Sequence, residues 1–310
     1  MTTALFTHPD CDQHVEPPGH PEQVARLKAV QTALASIDLL RLEAPLGDWA
    51  DITRCHPQSY IDRVAAAIPA RPWAALDGDT YLAPGSLTAA RRGVGGACAA
   101  VDLVLSGGAG NAFVATRPPG HHAETETAMG FCLFGTVAIA AKRALDHHGL
   151  SRAAIVDFDV HHGNGTQDLL WEEPRALFIS SHQRPLYPGS GASSETGSAG
   201  QILNLPLREG SGRAEMRRAY SELAFPRIAA FQPELILISA GFDAHADDPL
   251  AGLLWEDEDF GWITREICKL AQTHCAGRVV SVLEGGYDLD ALGRSAAAHV
   301  TVLKEFADDR

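Results

Sequence analysis

The sequence predicts an α/β fold: a parallel sheet whose two faces are covered by helices. Three observations lead there. The apolar runs within residues 153–157, 176–181, 235–240 and 279–283 have the length and unbroken hydrophobicity of strands buried on both sides. Stretches with helical spacing separate them, so strand and helix alternate along the chain. No internal repeat, low-complexity tract or long linker interrupts the 310 residues, so 1–310 reads as one domain.

Taken in order, Pro17-Pro18-Gly19-His20-Pro21-Glu22 is a rigid polar loop feeding a helix over 22–36, with Val24, Leu27, Val30 and Leu34 along one face. Arg26 lies near the loop end of that helix, where a solvated arginine is the ordinary reading. Residues 50–68 read as helix interrupted near His56-Pro57, 77–85 as a surface loop, and 87–105 as a helix of small residues fit for close packing. A short strand over 112–116 runs into Arg117-Pro118-Pro119-Gly120-His121-His122. A helix is expected over 132–148, with His147-His148 at its solvated end before Gly149. After the strands beginning at 153 and 176 comes a Pro/Gly/Ser-rich loop through Gly200, longer than a plain connection needs. A short strand over 202–205, a helix over 213–231, the strand over 235–240 and a polar loop over 241–249 follow. Helix 259–273, strand 279–283 and helix 288–306 close the chain.

Composition bounds the function. The net charge of −14 argues against nonspecific nucleic-acid binding and against anionic membranes, while leaving cationic substrates open. The first residues lack the basic and apolar regions of a signal peptide, and no apolar run approaches the ~18 residues of a membrane span. Six cysteines show neither a CxxC pair nor framework spacing, which reads as reduced thiols in a cytoplasmic protein.

The chemistry gathers around residues 153–165, where an apolar run ends in Asp157, Asp159, His161, His162 and a Gly-Asn-Gly turn. Unpaired charge at a buried strand end costs several kcal/mol, and a cation is the simplest compensation. Residues two apart in an extended segment point the same way, so Asp159 and His161 share one side and Asp157 continues the row inward. Carboxylate and imidazole together make half of a first-row metal site, although histidines capping strand-end carbonyls would leave the same trace. Ligands of open parallel sheets bind beyond the C-terminal strand ends. Four strands end in polar loops there: His121-His122, Asp159-Val160-His161, Gly241-Phe242-Asp243 and Glu284-Gly285-Gly286-Tyr287. Asp243, otherwise readable as a helix N-cap, completes three ligands and leaves an open coordination position, as catalytic zinc requires. The pair His121-His122 suits proton transfer to and from water, provided that the two differ in protonation; Asp157 and Asn164 are the available partners. Tyr287, after two glycines, is placed either to donate to a carbonyl oxygen or simply to pack.

These motifs, in their order and spacing, resemble the zinc-dependent histone deacetylase superfamily, in particular its class II-like bacterial amidohydrolases, relatives of acetylpolyamine amidohydrolases and acetoin utilisation proteins. The resemblance runs from Gly19-His20-Pro21-Glu22 to Glu284-Gly285-Gly286-Tyr287, through residues 117–123, Gly130-Phe131-Cys132, residues 157–165, Gly241-Phe242-Asp243 and Asp248-Pro249-Leu250. It implies an arginase-like α/β fold with a central, mostly parallel eight-stranded sheet. It implies zinc on Asp159, His161 and Asp243, His122 as general base and acid, and His121 as its electrostatic partner. Asp157 and Asn164 would orient the histidines, and Tyr287 would polarise the carbonyl. The Gly130 carbonyl would contact the substrate amide, Phe131 and Tyr187 would wall an acyl-lysine tunnel, and Arg26 and Cys132 would lie along an internal channel below the metal. A potassium ion would sit on Asp157, Asp159, His161, Ser180 and Ser181, mostly through carbonyls.

Asn164 and the Glu-Gly-Gly-Tyr sequence look like class II, and Leu250 stands where polyamine-selective relatives carry a glutamate. The expected activity is therefore hydrolysis of N6-acetyl-lysine side chains in proteins or peptides, with acetylpolyamines or other small acetylated amines as the alternative substrates. A non-catalytic acyl-lysine binding module and an arginase-like binuclear manganese hydrolase are the other classes to separate.

Overall fold

Successive residues of a strand leave the sheet on opposite faces, so an unbroken apolar run needs cover on both sides. The computed structural model, which describes residues 1–309, shows how that cover is provided. The central strands are β5 (Asn111–Val114), β6 (Ala153–Asp157), β9 (Leu235–Ala240) and β10 (Val279–Leu283). Ile155, Leu237 and Val280 pack on one face with Val101 and Val104 of α4 (Ser86–Leu105) and Val137 and Leu145 of α5 (Thr136–Asp146). Val156, Ile238 and Phe113 pack on the other, with Leu27 and Val30 of α1 (Ala25–Ala33), Ile263 and Ile267 of α9 (Asp257–Cys275) and Leu292 and Val300 of α10 (Leu289–Asp308). Each such side chain taken from water contributes roughly 1.5–3 kcal/mol.

The remaining strands are β1 (Thr3–Thr7), β2 (Leu40–Glu43), β7 (Ala176–Gln183) and β8 (Ile202–Leu207), with a two-stranded hairpin of β3 (Ala74–Ala75) and β4 (Tyr81–Leu82) outside the sheet. The sheet order is β2-β1-β5-β10-β9-β6-β7-β8, eight strands as expected, and every neighbouring pair is parallel. The four strands that carry the polar loops are adjacent at the centre, with Val114, Val282, Ser239 and Asp157 nearly level in register. All four loops therefore leave from one edge.

Several elements differ from expectation. β1 and β2 were not anticipated: β1 is a five-residue run, and β2, Leu-Arg-Leu-Glu, is an edge strand largely open to solvent. The helix expected from 132 begins at Thr136, because Cys132 pairs back on Met129 in a β-bridge and Gly135 (φ −72°, ψ 72°) is not helical. β6 ends at Asp157, and the Gly-Asn-Gly stretch opens a short helix, α6 (Asn164–Leu169). The helix over 213–231 is α7 (Arg213–Ala219) and α8 (Phe225–Phe231), joined by a π-turn at Tyr220–Ala224. Pro226 has no N–H to give the preceding turn, and the wider turn absorbs that loss. His148 is not merely solvated, since its Nε2 lies 2.6 Å from Asp102 Oδ1. Two short helices, α2 (Trp49–Ile52) and α3 (Gln58–Ala67), flank His56-Pro57 as expected. No helix among the described residues is long and apolar enough to cross a membrane.

Candidate active site

Beyond β6 the backbone bends, and two aspartates direct the bend. Asp157 Oδ1 accepts the N–H of Asp159 (3.1 Å), and Asp159 Oδ1 accepts that of His161 (2.9 Å). The convergence of Asp159 and His161 thus comes from side-chain turns, not from strand alternation. Asp243, beyond β9, joins them: His161 Nδ1 lies 3.1 Å from Asp159 Oδ1 and 3.2 Å from Asp243 Oδ2. One ligand atom from each of the three lies within 4.8 Å of the other two. Backbone amides orient the carboxylates, Val160 N on Asp243 (2.9 Å) and Gly285 N on Asp159 (2.8 Å). Gly285 has to be glycine, because a Cβ there would collide with both carboxylates.

The donor set fits a divalent cation. Burial opposes charge on His161, yet its bonds to Asp159 and Asp243 outweigh it and push the imidazole up to about 10. Burial and the neighbouring Asp159 raise Asp243, whose negative charge is poorly compensated. Two oxygen ligands and one nitrogen that together demand positive charge are the composition of a zinc site.

His121 and His122, at the end of β5, have rings 4.0 Å apart but opposite electrostatics. His121 Nδ1 donates to Asp157 Oδ2 (3.0 Å), and its Nε2 is 3.7 Å from Asp159 Oδ2. Burial disfavours its charge, but Asp159 and Asp157 prevail and raise it well above the usual histidine range. His122 Nδ1 donates to Asn164 Oδ1 (2.7 Å), whose amide is oriented by its own donation to Glu124 (2.7 Å). Burial, then His121 and His161, depress His122 well below that range. One ring is therefore cationic and the other neutral, with Nε2 as the unprotonated nitrogen of His122.

The histidine loop is held from two sides. Glu284 Oε2 accepts the N–H groups of Gly120 (2.7 Å) and His121 (3.1 Å). Arg117, fully buried, binds Glu22 Oε1 (2.7 Å) and Glu16 Oε2 (2.8 Å). Burial raises Glu284 to about 7. Arg26 is buried, contrary to a solvated helix arginine: Nη1 donates to Glu22 (2.9 Å), Nε to Gly286 O (2.6 Å) and Nη2 to Glu284 O (2.5 Å). Its guanidinium lies 4.8 Å from the centre of the Tyr287 ring. Burial keeps the Tyr287 phenol protonated, its range moved well upward although Arg26 pulls it down.

Above these groups opens a cavity of about 260 Å³. His122, His161 and Tyr287 form its floor, Phe131, Tyr187 and Leu250 its walls, and Gly130, Asp79 and Leu186 complete the lining. Gly130 approaches so closely that a Cβ would strike the His122 ring. Phe131 meets Tyr287 edge-on at 5.8 Å and Tyr187 meets His122 at 5.2 Å. Cys132 and Arg26 do not line this cavity: Cys132 Sγ lies behind Gly130, 3.3 Å from its carbonyl, and Arg26 behind Tyr287. Ser180 and Ser181 are buried on β7, their hydroxyls on His182 (2.9 Å) and Tyr220 (2.7 Å), with Ser180 opposite Asp157 in register. Three roomier grooves, of about 660, 550 and 530 Å³, have no histidine in their lining.

Sequence reasoning missed Asp79, read as part of a surface loop, and Leu186. It also gave Glu284 and Asp248 no task, although a carboxylate directly after the buried run 279–283 was a visible signal.

Similarity to known proteins extends over most of the chain. The histone deacetylase domain model matches residues 20–303. A histone deacetylase-like amidohydrolase of Pseudomonas aeruginosa is 39% identical over 284 residues, covering 88% of this chain and 74% of its own length. Histone deacetylase 14, chloroplastic, of Arabidopsis thaliana is 39% identical over 301 residues, covering 90% and 71%. A probable deacetylase of Archaeoglobus fulgidus is 35% identical over 299 residues, covering 94% and 82%. The crystal structure of the HDA15 HD domain superposes with a TM-score of 0.93 at 33% identity, over 98% of this chain and 88% of that one. The chain belongs to the histone deacetylase family, a generally zinc-dependent family, and is a deacetylase that hydrolyses amide bonds.

Proposed function

We propose that the chain removes the acetyl group from N6-acetyl-lysine side chains of proteins or peptides. The observation that carries this reading is the aromatic-walled cavity lined by neutral His122, with cationic His121 behind it and three side chains able to hold a metal beside it. A stem of four methylenes suits such walls, and the amide at its end reaches the polar floor. Zinc on Asp159, His161 and Asp243 would supply a Lewis acid for the amide carbonyl and for water. His122 Nε2 takes a proton from the attacking water and later returns it to the leaving amine. Cationic His121 stabilises the negative charge that develops nearby, and Tyr287 donates its O–H to the oxyanion. A potassium ion belongs to the same reading, on Asp157 and the oxygens of Asp159, His161, Ser180 and Ser181.

The second reading is deacetylation of acetylpolyamines. Burial first, then Asp79, Cys132, Asp77 and Glu124, raise the Tyr187 phenol, and Asp79 lines the cavity, where a carboxylate would favour a second ammonium. Leu250 on the wall weighs against it. Turnover of an acetyl-lysine peptide beside acetylputrescine and acetylspermidine decides, and a strong preference for the amines reverses the order. Six free cysteines and the net charge of −14 support a cytoplasmic protein that binds neither membranes nor nucleic acid directly.

A further inference from the structure

Tyr287 follows Gly285 and Gly286, the latter at φ +116°, a backbone with little stiffness of its own. Something outside that segment has to fix the ring. Arg26 does so from the carbonyl side, through Gly286 O and Glu284 O. On the N–H side stands Asp248, nearly buried in the loop after β9. Its Oδ2 accepts from Tyr287 N (2.7 Å) and Asp288 N (3.3 Å), and its Oδ1 accepts from Leu250 N (3.0 Å). Asp288 in turn caps α10 by accepting from Ala291 N (2.8 Å).

We propose that Asp248 is the positioning residue for Tyr287, and that it ties the tyrosine to the Leu250 wall so that one carboxylate sets both. The proposal rests on the reading of Tyr287 as the oxyanion donor and adds what aims it. Burial and then Asp243 raise the Asp248 carboxyl to about 7, while the three backbone N–H groups favour its ionised form. The two oxygens work in different directions, one toward the tyrosine and the helix cap, the other toward the wall. Asparagine cannot replace this. It offers one acceptor oxygen and turns an NH₂ group toward the remaining N–H donors. Asp248→Asn must therefore release either Tyr287 or Leu250. A displacement of about 1 Å at a reacting group costs on the order of 10² in rate.

The test is a double-mutant cycle of wild type, Asp248→Asn, Tyr287→Phe and the double variant, all zinc-loaded, with kcat and KM on an acetyl-lysine peptide and metal content measured for each. The expected result is a fall in kcat of about 10–10² for Asp248→Asn alone, with metal content kept, and little further loss in the Tyr287→Phe background. An equal loss in both backgrounds overturns the proposal, because Asp248 would then act without Tyr287. If Tyr287→Phe alone leaves kcat unchanged, the underlying reading of the tyrosine has failed instead, which the single variant reveals. A wild-type measurement does not depend on the variants folding: amide hydrogen exchange at Leu250 and Tyr287. Protection well above that of exposed loop amides is expected, and exchange at the exposed-loop rate removes the basis of the proposal.

Discussion

Two buried clusters in this protein have the same composition and different fates. Asp159, His161 and Asp243 gather one imidazole and two carboxylates within 4.8 Å, and so do His14, Glu16 and Glu22. The second is threaded by Arg117, which binds both glutamates, and Arg26 adds a further bond to Glu22. Two guanidiniums stand against these two carboxylates, although burial and then Glu22 still raise Glu16. Burial works against charge on Glu22, but Arg117 and Arg26 more than reverse it and hold the carboxyl well below its usual range. Among the described residues, no arginine or lysine pairs with Asp159 or Asp243; their ionic partners are His121 and His161. Ligand types and spacing alone therefore do not separate a cation site from an internal salt-bridge network. Whether a guanidinium completes the cluster does.

The largest expected effect comes from opening the uncompensated cluster. His161→Ala or Asp243→Asn should lose bound zinc and with it nearly all turnover. The melting temperature of metal-free Asp243→Asn should hold or rise, because a buried like charge beside Asp159 has gone. A sharp drop would mean that this cluster is structural as well. Glu22→Ala should do the reverse. Leaving the buried Arg26 guanidinium without a carboxylate, and Arg117 with Glu16 alone, costs about 3–5 kcal/mol of stability in urea unfolding, while the folded fraction keeps its zinc stoichiometry. A neutral outcome there would show the closed network to be dispensable.

Tyr287→Phe should lower kcat by about 10²–10³ with zinc content and stability retained, since one hydroxyl is removed and the ring stays. If only KM rises, the tyrosine is a wall of the cavity and no more. The smallest effect should be Asn164→Asp. With His122 as the proposed base, activity should be lost as pH falls through that group's depressed range, whose causes are burial, then His121 and His161. An anionic neighbour favours imidazolium and raises that range, so the acid limb of kcat/KM should move to higher pH. A limb that stays in place would argue against His122 as the base.

Much of the site was legible because apolar strands ending in charge are rare, as in the steps from Val156 to Asp157 and from Leu283 to Glu284. The rule for strand ends puts His121-His122 and Asp243 on the sheet edge where the structure has them, beside Asp159 and His161. Asp159 and His161 do converge, but through side-chain turns and not through the strand alternation expected. What escaped depends on where distant backbone N–H groups point. Nothing in the sequence shows that Glu284 meets Gly120 and His121, or that Asp248 meets Tyr287. β2 escaped because an exposed edge strand of four residues has no buried face to produce a pattern. Asp79 escaped because the rim takes shape only when its loop folds over Phe131, where Thr80 Oγ1 accepts the Phe131 N–H.

The central claim is that the cluster without an arginine is the one that works, with a single metal. Metal-free protein titrated with zinc, while hydrolysis of an acetyl-lysine peptide is followed, tests it most directly. Turnover should rise in proportion to added zinc and level off near about one ion per chain, and Asp243→Asn should stay at baseline throughout. A plateau reached only at two ions per chain, or full turnover in Asp243→Asn, would contradict the account.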